Sequence, residues 1–342
     1  CKDLLSSSVD NLSELSSQWE SFSDAELVAC GNLLNYVAAT QNGRLPKLSL
    51  PIRFSALNRM HIDPTTRRSL EMTSTLRGDR AGSLLSVLDR TVTATGARLL
   101  RSRMDSPSLS LSEIEARLDC IQWFRDQPNS LVKQFRELLR GSYDVDRCLQ
   151  RLSLGKGSAR ELTSIAATLE IAHELLKRLR RHPLLSPALE RELGHIDADT
   201  EMVKLLSAAL VDSPPPTIAD GGFIRSGYDT QLEELRELNR GAKKRIAELQ
   251  AQYRESTGIP TLKIRRNTIF GYFIEVSASH VEKLSDEFSI CRNLKNASRY
   301  KTAVLNDLES RVNSAHNEAI QLEKEIFEDL TLTLLKRSAK IR

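Results

Sequence analysis

The sequence is poor in the residues that build disulfide frameworks, metal sites and aromatic cores. Its 342 residues include five cysteines, and only 5% are aromatic. The cysteines are odd in number and widely scattered, and no two form Cys-x-x-Cys. A disulfide framework or zinc site is therefore not expected, and a reducing compartment is. No apolar run approaches the roughly 18 residues that cross a bilayer, so we expect neither a membrane partner nor a signal peptide.

Motifs for enzyme chemistry are missing as well. The sequence has no Gly-x-x-x-x-Gly-Lys-Ser/Thr loop, and Gly155-Lys156-Gly157-Ser158 imitates it poorly. His173-Glu174 lacks the second histidine of a His-Glu-x-x-His helix, and no serine stands in a nucleophile elbow. We expect no catalytic residue, no metal site and no cofactor in these residues, which would not form an enzyme by themselves.

What the sequence does have is the composition of a helical protein. Hydrophobic residues make up 40% and charged residues 27%, and Leu, Glu, Arg, Ala and Ser are abundant, which favours a mainly α fold. Apolar spacing predicts helices at Ala25–Ala39, from Ser83 to Met104, from Ser112 onward and several times between Asn129 and Leu210. Ile52 to Thr75 is predicted to be extended or mixed.

Two later stretches have heptad spacing, typical of helices that pack along their length. The first is Tyr228, Leu232, Leu235, Asn239, Ala242, Ile246, Leu249 and Tyr253; the second is Leu305, Leu308, Val312, Ala315, Ala319, Leu322 and Ile326. About 45 residues separate them. We predict an antiparallel pair of helices, each roughly 45–50 Å long at 1.5 Å per residue, in which Asn239 fixes the register.

The segment between these helices differs in character and in charge. Leu262 and Ile264, and later Tyr272, Ile274 and Val276, alternate with other residues as strands do. Residues 259–301 hold eight of the 49 basic and four of the 45 acidic residues, so they carry the whole net charge of +4. The sequence thus predicts a small β-containing tip with a basic surface.

A basic tip favours contact with the phosphates of nucleic acid, although most charge runs are simply solvated faces. Binding of this kind positions the protein without reading sequence and weakens with salt. The candidate DNA-binding residues are Lys263, Arg265, Arg266, Asn267, Lys295, Asn296, Arg299 and Lys301. Tyr272, Phe273 and Tyr300 are expected in the core of the tip, because a duplex offers no free bases for stacking.

Four ordered segments resemble the MutS family. The segments are Leu262-Lys263-Ile264, Asn267 and Phe270 to Val276, similar to its clamp hairpin; Asn293 to Tyr300, similar to the return from clamp to lever; Asp220 to Ile224 with Ser226-Gly227-Tyr228, similar to the entry into the lever; and Asp89 to Thr93 with Gly96 to Leu100, Pro107 and Arg117-Leu118, similar to its core. The resemblance covers roughly residues 50–342.

The resemblance implies a division of the chain and a set of partners. Residues 1–45 would end a connector domain, 46–224 form a helical core, 225–258 the ascending lever helix, 259–301 the clamp and 302–342 the descending lever helix. Duplex DNA is the implied ligand, and the parent protein would be a dimer. ATP and Mg²⁺ would bind to an ATPase domain that, like the mismatch reader, is expected outside these residues.

The branch of the family is predicted from smaller differences. Arg103-Met104-Asp105, Asn293 and Ser298 depart from the pattern of bacterial housekeeping members. Three segments, Ser74 to Arg77, Gly82 to Leu85 and Leu149 to Gly157, look more like the fungal mitochondrial branch. An intracellular and preferably mitochondrial location is therefore predicted, with the nucleus and the bacterial cytoplasm as alternatives.

Two other functions remain open from the sequence. One is a MutS relative that acts in recombination or organelle genome maintenance. The other is a structural coiled-coil arm, which would have longer heptad runs and no strand-like basic tip.

Overall fold

The computed structural model describes residues 22–41, 43, 45–46, 48, 51, 58–182, 184–267, 271–293 and 297–341. This part of the chain is mainly helical and contains one four-stranded antiparallel sheet, which confirms the predicted fold class. The chain divides into two compact units, Cys1–Pro216 with Asp329–Arg342, and Thr217–Glu328. Among the described helices, none combines the length and the apolar character that a membrane span requires.

The first unit is built from helices whose amino ends are mostly capped by Ser, Thr or Asp side chains. At Ser158, for example, a capping box with Glu161 starts the longest of them. The helices are α1 Asp24–Thr40, α2 Pro64–Ser69, α3 Leu84–Leu88, α4 Ala94–Asp105, α5 Leu111–Arg125, α6 Asn129–Arg140, α7 Val145–Ser153, α8 Ala159–Leu179, α9 Pro187–Gly194 and α10 Thr200–Ala209.

The apolar run from Ser83 to Met104 is interrupted, where spacing alone predicted continuous helix. The Asp89 carboxylate accepts hydrogen bonds from the amide and the hydroxyl of Thr91, at 3.1 and 2.6 Å. Thr93 then caps α4 by accepting the Gly96 amide at 3.0 Å. These local side-chain bonds compete with helical ones, so they end α3 and begin α4.

The core of the first unit surrounds α8, which packs against α7 and α10. Its fully buried side chains include Leu149, Leu162, Ile165, Met202 and Leu206. A second cluster forms around Trp123, whose indole Nε1 donates to the Leu184 carbonyl at 2.6 Å.

Asp199 connects two ends of the first unit. It caps α10 by accepting the Met202 amide at 3.0 Å, and its two oxygens lie 3.0 and 2.9 Å from Arg337 Nη1. Burial alone raises the pKa of Asp199, but the Met202 amide and the Arg337 guanidinium outweigh it and hold the pKa below the usual value of 3.8. The carboxylate thus stabilises the unit above the ordinary pKa and ceases to do so as the pH falls through the lowered one.

The negative charge of Asp199 should make a measurable contribution to stability. Asp199→Asn keeps a good helix cap and removes the charge, so the free energy of unfolding should fall by about 1–2 kcal/mol near neutral pH. The difference in the free energy of unfolding between variant and wild type should become smaller as the pH drops below about 4. Urea unfolding across a pH series measures this difference. Asp197→Asn, at an exposed position, is the matched control. A difference that stays constant with pH would contradict a stabilising role for the Asp199 charge.

The second unit consists of two helices and the sheet between them in sequence. Its elements are a 3-10 turn Ile218–Asp220, α11 Thr230–Thr257, β1 Lys263–Asn267, β2 Gly271–Ser277, a 3-10 helix Ala278–Lys283, β3 Ser289–Asn293, β4 Ala297–Lys301 and α12 Ala303–Lys336, which continues into the first unit before α13 Ser338–Ile341. The strand order is β1-β2-β4-β3, and every neighbouring pair is antiparallel.

The two helices of this unit run antiparallel, as the heptads predicted. Tyr253 is hydrogen-bonded to Thr302 through their hydroxyls at 2.7 Å. Asn239 Nδ2 donates to the Val312 carbonyl at 3.2 Å. Arg236 lies at 2.8 Å from Glu323. From the first of these contacts to the last, the residue numbers rise on α12 and fall on α11, so the two helices run in opposite directions.

The heptad phase of α12 changes after Ala319, and here the sequence prediction was wrong. Leu322 and Ile326 are only half-buried, whereas Glu323 and Phe327 are buried. From Ala315 to Phe327 the buried positions step by four residues three times in succession, which is a stutter that locally unwinds a coiled coil. A glutamate accordingly takes a core position that the heptad gave to leucine.

One face of the sheet packs on the end of the helix pair. Ile274, Val276 and Tyr300 are buried in the same cluster as Tyr253 and Leu305. Because side chains alternate along a strand, the residues between them point to the opposite face.

Candidate nucleic-acid interface

The outer face of the sheet collects the positive charge. Cross-strand pairing sets Lys263 opposite Glu275, Glu275 opposite Arg299, and Arg299 opposite Arg292. Alternation adds three more residues to this side. We call this side the basic face, and its residues are Lys263, Arg265, Asn267, Arg292, Arg299 and Lys301. Glu275 is the single carboxylate that the described strands contribute to it.

Two arginines of the basic face are held in place by their neighbours. Arg265 Nε lies 3.3 Å from a Glu275 oxygen, while its side chain is 54% exposed. The Arg299 guanidinium lies 4.4 Å from the centroid of the Phe273 ring, a cation–π contact. Phe273 is buried, so it forms a floor for the arginine. Such contacts lower the entropy lost when a guanidinium binds an anion.

Lys301 lies on the side of the basic face, but its charge is engaged in a partly buried ion pair. Its ammonium lies 3.0 Å from Glu309, and the same carboxylate accepts the Tyr272 amide at 2.9 Å. Gly271 has φ +66°, and a Cβ there would overlap the Glu309 carboxylate. Glycine is thus favoured both by the positive φ and by the position of the Glu309 carboxylate, which would have to leave its hydrogen bonds to make room for a Cβ.

The remaining predicted residues fall in different places. Arg266 lies on the other side of β1 by alternation, 5.7 Å from the Tyr272 ring centroid. Lys295 and Asn296 lie outside the described residues. Arg292 was not among the predicted ligands, because only the pairing across the bulge at Ile290/Arg292 sets it opposite Arg299. The DNA-binding assignment as a whole stays a prediction.

A second polar cluster lies at the other end of the helix pair. Glu323 is 3% exposed, pairs with Arg236 at 2.8 Å and accepts the Phe223 amide at 3.2 Å. Arg236 also donates to the Ile224 carbonyl at 2.8 Å. Both helices and the segment leading into α11 therefore meet at one ion pair. The sequence did not predict this ion pair, because the heptad spacing placed Leu322, and not Glu323, between the two helices.

Among the described residues, those typical of metal or thiol chemistry are not clustered. No group of three His, Cys, Asp or Glu side chains that could hold a metal is found in the described part of the chain. Burial raises the pKa of the Cys148 thiol to about 11, so it stays protonated near neutral pH.

The fold and its surfaces define a mainly helical protein in which an antiparallel helix pair carries a small sheet with a cationic outer face. Residues 65–342 match the family described as MutS domain III. The chain therefore belongs to the MutS family.

Curated relatives agree with this family. The chain is 39% identical over 326 residues to the DNA mismatch repair protein MutS of Ruegeria sp. (strain TM1040), 42% over 327 residues to that of Cereibacter sphaeroides (strain ATCC 17025 / ATH 2.4.3), and 39% over 327 residues to that of Paracoccus denitrificans (strain Pd 1222). Each match covers 94% of this chain but 37% of the relative's length. These relatives are bacterial, and they lend no support to the predicted fungal mitochondrial branch.

Proposed function

We propose that the basic face binds the backbone of duplex DNA without sequence preference, as part of a mismatch-repair protein. The observation that carries this proposal is the alignment of Lys263, Arg265, Arg292 and Arg299 on one face of the sheet, with one opposing carboxylate. A row of cations on a sheet suits a row of phosphates, and it offers no inserted element that could read base edges.

The salt dependence of such binding follows from the number of phosphates neutralised. With roughly four phosphates in contact, the log–log slope of affinity against salt would be near −3.6 for duplex DNA. Matched and mismatched duplexes are expected to bind equally, since these contacts are made to the backbone.

The helix pair would couple DNA binding by the basic face to an ATPase. The chain spans 37% of its relatives' length, and its sequence has no phosphate-binding loop of the Walker type. We propose that ATP and Mg²⁺ are bound by a further domain of the whole protein, that the 342 residues alone do not hydrolyse ATP, and that the whole protein acts as a dimer. A purely structural coiled-coil arm was predicted to lack a sheet, so the four strands argue against that alternative.

A triple variant tests the DNA proposal. Lys263→Gln, Arg265→Gln and Arg292→Gln together remove three cations from exposed positions. We expect the affinity for a short duplex at low salt to fall about a hundredfold, and the salt slope to lose up to about three units. Fluorescence anisotropy over a salt series measures both quantities.

The control removes the same charge elsewhere. The control variant combines Lys133→Gln, Lys177→Gln and Arg181→Gln, which change exposed residues of the first unit. It should keep most of the affinity for the duplex. Equal losses in the two variants would show that net charge, and not the basic face, governs binding, and would refute the proposal.

A further inference from the structure

The first unit contains an open cavity of about 400 Å³ beside α2 whose polar lining consists of arginines and hydroxyls. The polar lining residues are Arg67, Arg68, Thr73, Ser74, Thr75 and Arg77. No carboxylate is among them. Three guanidinium groups around one cavity repel each other, and an anion would relieve this repulsion.

The arginines of this cavity are poorly neutralised by the protein. Arg68 and Arg77 are exposed, and neither has an ion-pair partner within the described ranges. Arg67 Nη1 lies 3.9 Å from Asp105, which is too long for a hydrogen bond. Arg67 Nε is buried and has no hydrogen-bond partner in the described structure. This atom is shielded from solvent, so an anion in the open cavity would be held by the other guanidinium nitrogens of the three arginines.

The loop that forms one wall is held in shape by its own bonds. Glu71 has φ +49°, unusual for a residue with a side chain. Its carboxylate accepts the Leu76 amide at 2.7 Å. Thr75 accepts the Gly78 amide and donates its own to Asp79, both at 2.8 Å. The Glu71 carboxylate thus holds the backbone of this wall in shape, and it forms no ion pair with the three arginines of the cavity.

We propose that this cavity binds a phosphate group through Arg67, Arg68 and Arg77, assisted by the hydroxyls of Thr73 and Ser74. Guanidinium groups match phosphate oxygens in geometry and charge. The phosphate would be carried by a nucleotide or by the DNA backbone. This site shares no residue with the basic face, and it can exist whether or not that face binds DNA.

The test is a double variant, Arg68→Gln with Arg77→Gln, which removes two exposed guanidinium groups. Isothermal titration with inorganic phosphate should show saturable binding by the 342-residue chain and at least about tenfold weaker binding by the variant. Arg125→Gln with Arg180→Gln, both exposed in the same unit, makes the same charge change and should leave binding intact. Thermal unfolding of both variants verifies that they fold.

Two further titrations identify the carrier of the phosphate. If ATP binding weakens in the Arg68/Arg77 variant but not in the Arg125/Arg180 control, the site is assigned to nucleotides. If duplex binding weakens in the Arg68/Arg77 variant but not in the control, the site is assigned to DNA. The proposal is overturned if the wild-type chain shows no saturable phosphate binding up to about 10 mM, if the control variant loses as much, or if only inorganic phosphate responds. The cavity and the basic face share no residue, so phosphate binding by the Arg68/Arg77 variant and duplex binding by the triple variant are separate measurements, and failure of one proposal does not imply failure of the other.

Discussion

Replacing Arg236 by leucine should lower the free energy of unfolding by about 3–5 kcal/mol, because it leaves the Glu323 carboxylate buried without its partner. The same change removes the donor to the Ile224 carbonyl. Urea unfolding followed by circular dichroism measures the loss, and hydrogen exchange shows whether residues 217–328 open first.

Two further variants separate charge from packing in this result. Arg240→Leu breaks an exposed pair with Glu233 on the same helix and should cost less than about 1 kcal/mol. The double variant Arg236→Leu with Glu323→Leu should be more stable than Arg236→Leu alone, because apolar groups tolerate the site better than an unpaired charge. A double variant as unstable as the single one would mean that packing, and not the unpaired charge, dominates.

Gly271→Ala should cost about 2–4 kcal/mol and loosen the sheet from α12. The new Cβ would overlap the Glu309 carboxylate, and moving that carboxylate away breaks its bonds to the Tyr272 amide and to Lys301. Backbone strain at positive φ adds about 1 kcal/mol, and each broken hydrogen bond adds roughly as much. Hydrogen exchange at the amides of β2, together with equilibrium unfolding, reports the effect.

The control for backbone strain is Gly258→Ala. Gly258 also has positive φ, +62°, but nothing lies within 4 Å of its added Cβ, so only strain of about 1 kcal/mol is expected. Combining Gly271→Ala with Glu309→Ala removes the overlap, and the two costs should be less than additive. Strict additivity would show that the carboxylate is not what excludes a side chain at residue 271.

Periodicity and charge placement predicted the features that repeat along the chain. The heptads gave the antiparallel helix pair because every third or fourth residue of α11 faces α12. Alternation gave β1 and β2, and the local charge count placed the cations on the segment that forms the sheet. These properties follow from side-chain geometry and are readable without tertiary contacts.

The remainder depends on contacts between residues that are distant in sequence. Spacing gave Leu322 a core position, but Glu323 takes it because Arg236 and the Phe223 amide satisfy its charge. Arg292 joins the basic face only through the bulged pairing of β3 with β4. The arginine cavity likewise depends on how the loop after α2 closes. None of these can be read from a pattern along one segment.

The sheet ends in two edge strands, β1 and β3, and each carries a feature that discourages pairing with another chain. The β1 edge carries Lys263, Arg265 and Arg266, while the β3 edge is bulged between Ile290 and Arg292. Exposed strand edges invite edge-to-edge aggregation, and like charges and bulges both oppose it. Lys263 and Arg265, which we assign to DNA binding, would therefore also help to keep concentrated copies of the protein from joining their sheets. This protection should weaken in high salt, because salt screens the repulsion.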